Sequence, residues 1–324
     1  MLSIDNLQNI LKKVFSELHL QGNPPELYEP IRYTIKLGGK RMRPLLAMLA
    51  CDMFGGDVQK VIDAAIGIEL FHNFTLLHDD IMDQAPLRRG NETVYKRWNA
   101  NRAILSGDTM FAMSNLHMLR MPSLCQAQVL EILNRTAIEV CEGQQLDMNF
   151  ETRREVSVPE YLEMIRLKTA VLLAASLQIG ALSAAASSKD AQLLYECGIS
   201  LGLAFQLTDD LLDIYGDEST FGKITGGDIV ANKKTYLYLM ALERSSVVQR
   251  SSLLTLFAHT PDDTAIKINE VKAIFDALEV RDLTKQTIND YFEMAMSQLK
   301  AIGLPEMDTN VMRNYAASLM QRQV

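Results

Sequence analysis

Apolar residues recur at three- and four-residue spacing along most of the chain, and no stretch shows the apolar–polar alternation of a half-buried strand. The pattern predicts helix nearly throughout. The nine prolines, Pro24, Pro25, Pro30, Pro44, Pro86, Pro122, Pro159, Pro261 and Pro305, fall near breaks in that periodicity, where helices start and stop. Pro122-Ser123 and Val158-Pro159-Glu160 read as helix N-termini. No repeat of fixed period and no linker interrupts the pattern, so one large helical domain is the simplest organisation. The run Thr169 to Ser188 is the one candidate for a membrane span. Its many alanines and serines, and Gln178 within it, mark it instead as a helix of a protein core.

Two helices carry carboxylates in a way that packing alone does not require. At 100° per residue, Glu69, His72, Asp79, Asp80 and Asp83 fall within an arc of about 100°, while Ile66, Leu70, Phe74, Leu77 and Ile81 form an apolar stripe elsewhere. The pattern recurs at Gln206, Asp209, Asp210 and Asp213, with Leu203, Phe205, Leu207, Leu211 and Leu212 covering the rest. A solvated acidic surface is the bland reading of either cluster, but helices this apolar do not lie fully on a surface. Two carboxylates ~5 Å apart at an effective dielectric of ~20 repel by about 3 kcal/mol, so an enclosed pair calls for a cation. Two such faces turned toward each other make an oxygen-rich cage that suits Mg²⁺ sharing its coordination with phosphate oxygens and water. A calcium loop with an Asp-rich turn and central glycine is absent.

Basic residues gather around both clusters. Gly38-Gly39-Lys40-Arg41-Met42-Arg43-Pro44 is a compact basic turn without Walker-type spacing. Arg88-Arg89-Gly90 follows the first aspartates, Lys168-Thr169 sits at a helix junction, and Lys223 and Lys233-Lys234-Thr235 follow the second. Each group alone reads as solvated surface; together they supply the cations a diphosphate needs. Composition narrows the rest. The chain has 324 residues, 48% of them hydrophobic, and a net charge of −8, so no broad basic face for nucleic acid is indicated. Cys51, Cys125, Cys141 and Cys197 are far apart with no Cys-x-x-Cys pair, which argues against zinc and a disulfide scaffold and fits a cytoplasmic protein. The N-terminus lacks the basic and apolar regions of a signal peptide.

In order, Gly-Gly-Lys-Arg-x-Arg-Pro, Glu-x-x-His, Asp-Asp-x-x-Asp with Arg-Arg-Gly, Lys-Thr, Phe-Gln-x-x-Asp-Asp-x-x-Asp, Gly-Lys and Lys-Lys-Thr run from Gly38 to Thr235. In this the sequence resembles the trans-isoprenyl diphosphate synthases, the polyprenyl synthetase family. The resemblance implies an all-α fold of the isoprenoid synthase type, with helices surrounding a deep central cavity, and a homodimer. It places Lys40, Arg43, His72 and Arg89 on isopentenyl diphosphate. Arg88, Lys168, Thr169, Gln206, Lys223 and Lys233 fall on the allylic diphosphate. Asp79, Asp83 and Asp209 match the metal ligands, for three Mg²⁺ ions bound together with diphosphate. Asp80, Asp210 and Asp213 match motif aspartates with supporting catalytic roles, and Lys168 and the Thr169 carbonyl region face the cation. The implied reaction is ionisation of the allylic diphosphate, attack by isopentenyl diphosphate and loss of a proton.

Product length is implied by the residues just before the first aspartate. Phe74 and Thr75 lie five and four positions before Asp79 with no insertion in the motif, which resembles enzymes making fifteen- or twenty-carbon products. On an ideal helix Thr75 is about 40° from Asp79, Phe71 about 80° and Phe74 about 140°, so Phe71 is also a candidate floor and both phenylalanines could be plain core. Three alternatives stay open: a longer-chain polyprenyl synthase, a non-catalytic subunit of a heteromeric synthase, and a terpene cyclase. The last leaves Lys40, Arg43 and His72 unexplained.

Overall fold

The computed structural model describes residues 2–216, 225–258 and 263–320. Among them every regular element is a helix except for one hairpin of two-residue strands. Two compact units are formed, one from Met1–Arg135, Ala175–Leu194 and Leu304–Met312, the other from Thr136–Ala174, Tyr195–Gly303 and Arg313–Val324. The sequence marks no such division because four of its borders fall inside the helices Gln126–Thr152, Val171–Ser183, Ser188–Tyr215 and Glu306–Met320, where composition has no reason to change.

The first unit is built on α3 (Met42–Met53) and α4 (Ile62–Met82). Ten of the twelve residues of α3 are buried, so this helix is apolar all round, as a central helix must be. Before it, α1 (Ile4–Glu17) buries the stripe Leu7, Leu11 and Phe15, one turn apart, and its first turn is capped by Ser3. Helix α2 (Pro25–Lys36) contains Pro30 in its interior, where the sequence suggested a break; Pro25 at its first position starts it. Helix α4 lies close against α6 (Ala100–Met118). A side chain at Gly67 would meet the Ser114 carbonyl at 3.0 Å, and Ser114 Oγ donates to the Gly67 carbonyl at 2.7 Å. Between α4 and α6, β1 (Leu87–Arg88) and β2 (Asn91–Glu92) pair around Arg89 and Gly90, followed by the one-turn α5 (Val94–Arg97). Both turn residues have positive φ, 53° and 75°, the conformation a two-residue hairpin favours.

The second unit contains much of α7 (Gln126–Thr152) and α10 (Ser188–Tyr215), with α8 (Val158–Ile165) and the start of α9 (Val171–Ser183). Ser157 and Glu160 form a capping box at the start of α8, as the Val158-Pro159-Glu160 pattern suggested. Helix α7, by contrast, begins at Gln126, four residues after Pro122. Residues Arg166–Ala170 form a single π-helical turn joining α8 to α9. Glycines let two helices close on that turn. A Cβ at Gly143 would sit 2.4 Å from the Lys168 nitrogen, and one at Gly202 would sit 2.4 Å from Ala170 Cα. The unit continues through α11 (Gly227–Val230), α12 (Tyr236–Arg244), α13 (Val247–Leu256), α14 (Thr264–Ala277) and α15 (Val280–Ala301); α16 (Glu306–Met320) closes the chain. The stretch Val158–Ser183 has the length and hydropathy of a membrane span, with 72% of its most apolar window buried inside the protein.

Candidate active site

In each aspartate motif the structure separates the middle residue from the outer two. Asp80 is 4% exposed and Asp210 is 4% exposed, whereas Asp79, Asp209 and Asp213 are half-buried and Asp83 is open to solvent. The arc seen in the sequence therefore has an inner edge. Asp80 accepts two bonds from Arg88, from Nε at 2.9 Å and Nη2 at 2.5 Å, which brings the β-hairpin down onto α4. Burial raises the Asp80 carboxyl above the usual range, and Arg88 opposes that shift. Arg88 thus commits two N–H groups to a motif aspartate.

On the second helix the pattern repeats with neutral partners. Tyr161 Oη donates to Asp210, and Gln206 Nε2 donates to its other oxygen at 3.1 Å. Burial pushes Asp210 up to about 7, with Asp228 adding to the shift. Gln206 in turn accepts from Thr169 Oγ1 at 2.9 Å, which ties the π-helical turn to α10. Lys168, on the same turn, reaches Asp147 of α7 at 2.6 Å. Asp213 turns away to the following loop: its Oδ2 accepts the Asp228 amide at 2.9 Å, and its carbonyl accepts the Gly226 amide at 2.6 Å. Lys233 Nζ lies 3.9 Å from Asp228 and is exposed. Lys223 lies outside the described residues.

The basic turn is held by left-handed backbone. Gly38, Gly39 and Arg41 all have positive φ, which swings the chain into α3 and leaves Lys40 exposed. Gly39 also lets the Arg89 guanidinium approach the backbone closely, since a Cβ there would sit 2.7 Å from its central carbon. Arg43 Nη1 faces His72 Nε2 at 3.3 Å. Arginine has only donors, so Nε2 is the acceptor and the ring carries its proton on Nδ1. Burial, with Arg43, Arg89 and Arg88 nearby, holds His72 well below its ordinary value, so it is neutral. Beneath these cations lies Glu69, 3% exposed, raised by burial and opposed most by Arg41. Asn73 Nδ2 donates to its Oε1 at 3.1 Å.

The candidate chain-length residues sit in the middle of α4. Phe71 is fully buried, while Phe74 and Thr75 are half-buried. Phe74 stacks on Phe111 of α6 with centroids 5.3 Å apart and meets Phe71 at 5.6 Å and His78 at 4.8 Å. Thr75 Oγ1 donates to the His72 carbonyl at 2.8 Å.

Sequence reasoning missed Asp147, Tyr161, Asp228 and Phe111, each a partner contributed by another segment. Asp147 had a readable signal: it lies one turn after Gly143, on the same helical face. A cavity of about 970 Å³ in the second unit is lined by Arg153, Glu160, Tyr238, Leu242 and Phe257, and by none of the residues assigned from the sequence.

The pattern of the polyprenyl synthetase family matches residues 24–277. A geranylgeranyl diphosphate synthase of Methanosarcina mazei is 41% identical over 243 residues, covering 74% of this chain and 75% of that one. A geranylfarnesyl diphosphate synthase of Natronomonas pharaonis is 33% identical over 339 residues, covering 99% of this chain and 97% of its own. A crystal structure of a geranylgeranyl pyrophosphate synthase superposes with a TM-score of 0.95 at 42% identity, over 100% of both chains. The chain belongs to the polyprenyl synthetase family. It has the all-α isoprenoid synthase fold and is a prenyltransferase.

Proposed function

We propose that the protein condenses isopentenyl diphosphate head-to-tail with an allylic diphosphate and releases an all-trans prenyl diphosphate of fifteen or twenty carbons. It is a short-chain prenyl diphosphate synthase. The observation that carries the mechanism is the repeated motif, with the outer aspartates accessible and the middle one buried and tethered.

Asp79, Asp83 and Asp209 would hold Mg²⁺. Among the described residues no group of three His, Cys, Asp or Glu side chains forms a metal cage. The one or two carboxylates each motif offers fit a hard ion that takes its other ligands from diphosphate and water. Bound there with diphosphate, as three ions, Mg²⁺ would neutralise charge building on the leaving group. Lys168, Lys233 and Arg88 bring positive charge to the same diphosphate, and Lys40, Arg43 and Arg89 hold that of isopentenyl diphosphate. Neutral His72 offers its Nδ1–H as a further donor. The allylic carbon–oxygen bond breaks with its electron pair leaving on diphosphate. The double bond of isopentenyl diphosphate then attacks the cation, and a neighbouring proton passes to a diphosphate oxygen. Tethering of Lys168 to Asp147 and of Thr169 to Gln206 fixes the π-helical turn so that its polar atoms need no reorganisation as charge develops.

The reaction class is tested by substrate dependence. Diphosphate release requires both isopentenyl diphosphate and an allylic primer; release from primer alone would mark a cyclase, and no release a non-catalytic subunit.

Phe74 rather than Phe71 sets product length, because Phe71 is fully buried while Phe74 is half-buried. Phe74→Ala removes that ring and lengthens the product by at least one five-carbon unit, read by mass spectrometry. An unchanged product would move the floor to another residue.

The protein acts as a homodimer through α6. Leu105, Ala112 and Leu116 lie within about 40° on that helix, with Leu119 at its C-cap continuing the stripe, and Leu105, Leu116 and Leu119 are 58%, 56% and 47% exposed. A stripe of that kind marks a surface that another copy covers. Light scattering should give twice 36.4 kDa, and Leu116→Glu should shift it toward one chain. A monomeric wild-type protein would refute the assignment.

A further inference from the structure

Lys267 on α14 is 1% exposed, a rare place for an ammonium group. Its Nζ donates to Asn232 Oδ1 and lies 5.2 Å from the centre of the Phe257 ring. Burial lowers its affinity for a proton, so the fold carries a cost at this position. A methionine would fill the same space without that cost.

What Lys267 holds is informative. Asn232 has φ 56°, in the left-handed region, and immediately precedes Lys233. The segment around it is fixed from three sides. Asp213 of α10 takes the amides of Gly226 and Asp228. Lys234 Nζ caps the end of α7 at the Phe150 carbonyl, 2.5 Å away. From α14, Ile268 packs on Gly226, where a Cβ would meet its Cδ1 at 2.8 Å, and Lys267 grips the Asn232 amide. The left-handed turn at Asn232 sends the chain back so that the Lys233 amide bonds the Asp228 carbonyl at 2.9 Å. Lys233 and Lys234 then serve different partners.

We propose that Lys267 is a positioning residue for the allylic diphosphate site, locking the Asn232 turn from which Lys233 projects. The proposal rests on the reading that Lys233 contacts the allylic diphosphate. Lys267 touches no substrate; it removes the freedom of the backbone that carries the cation which does.

The test compares Lys267→Met, Lys267→Gln, Asn232→Gly and the Lys267→Met/Asn232→Gly double variant with the unaltered protein. Asn232→Gly keeps the left-handed backbone accessible and removes the carboxamide that Lys267 grips without truncating a core side chain, so it reports even if the core variants fold poorly. Each variant is measured by calorimetric binding of an allylic diphosphate with Mg²⁺ and by steady-state kinetics. Lys267→Met and Asn232→Gly should each weaken allylic binding about tenfold, the scale of a misplaced charge-assisted contact, with the KM for isopentenyl diphosphate unchanged. Lys267→Gln, which can still donate, should fall between. The double variant should be no worse than the stronger single one, because both break one link. Equal loss for both substrates, additive effects, or a lowered melting temperature with unchanged kinetics would overturn the proposal. If the unaltered protein bound no allylic diphosphate, the reading of the site would fall and this proposal with it.

Discussion

Asp79→Ala and Asp209→Ala should each lower kcat/KM for condensation by about 10²–10³-fold, the size of losing one preorganised electrostatic contact, and leave the melting temperature nearly unchanged. Both side chains are half-buried, unlike Asp80 and Asp210, so truncation removes a ligand and opens less of the core. Asp80→Ala and Asp210→Ala should differ. Asp80 underlies Arg88, and Asp210 underlies Tyr161 and Gln206. Removing Asp210 strands the buried Tyr161 hydroxyl, at about 1–3 kcal/mol of stability, and removing Asp80 releases the half-buried Arg88 at a smaller cost. Thermal unfolding of the four variants beside their kinetics separates ligand from tether. A stable, active Asp79→Ala protein would contradict the assignment of the outer aspartates.

Gly143→Val carries the second large effect. A Cβ at Gly143 would stand 2.4 Å from the Lys168 nitrogen and 2.8 Å from Lys168 Cα, both backbone atoms that cannot rotate aside. Overpacking of this kind costs about 1–3 kcal/mol or more, and it forces α7 away from the π-helical turn. Asp147 moves with α7, so Lys168 loses its 2.6 Å partner. Turnover should fall by at least about 10²-fold, since a displacement of about 1 Å at a positioned group is enough. Gly143→Ala is the graded control, with a smaller loss of the same kind. Full activity in Gly143→Val would mean that the turn does not need its packing against α7.

The reaction class was legible before any coordinates because its residues are chemically unusual: acidic groups on apolar helices, flanked by arginine and lysine at fixed spacing. The helical class was legible because buried helices write a 3.6-residue period. Elements without a period were not. The hairpin at Leu87–Glu92 has strands of two residues, too short to alternate, and the π-helical turn at Arg166–Ala170 differs from α-helix by one inserted residue, too small a change to break the helical period around it. Pro30 was placed at a break and sits inside α2. The difference between Asp79 and Asp80 was equally hidden. Helical angle puts them on one arc, and only partners from a separate hairpin or helix decide which one is buried. Tyr161, Asp147 and Lys267 belong to that class of residue, since nothing near them in sequence announces the group they hold.

The central claim is that the chain joins isopentenyl diphosphate to an allylic primer in a metal-dependent reaction. The most direct test incubates the purified protein with isopentenyl diphosphate and primers of five, ten and fifteen carbons, each with Mg²⁺ and again with EDTA, and reads the products by mass spectrometry. The account predicts an all-trans diphosphate of fifteen or twenty carbons that disappears with EDTA. Failure to extend any primer, or extension that survives chelation, would contradict it.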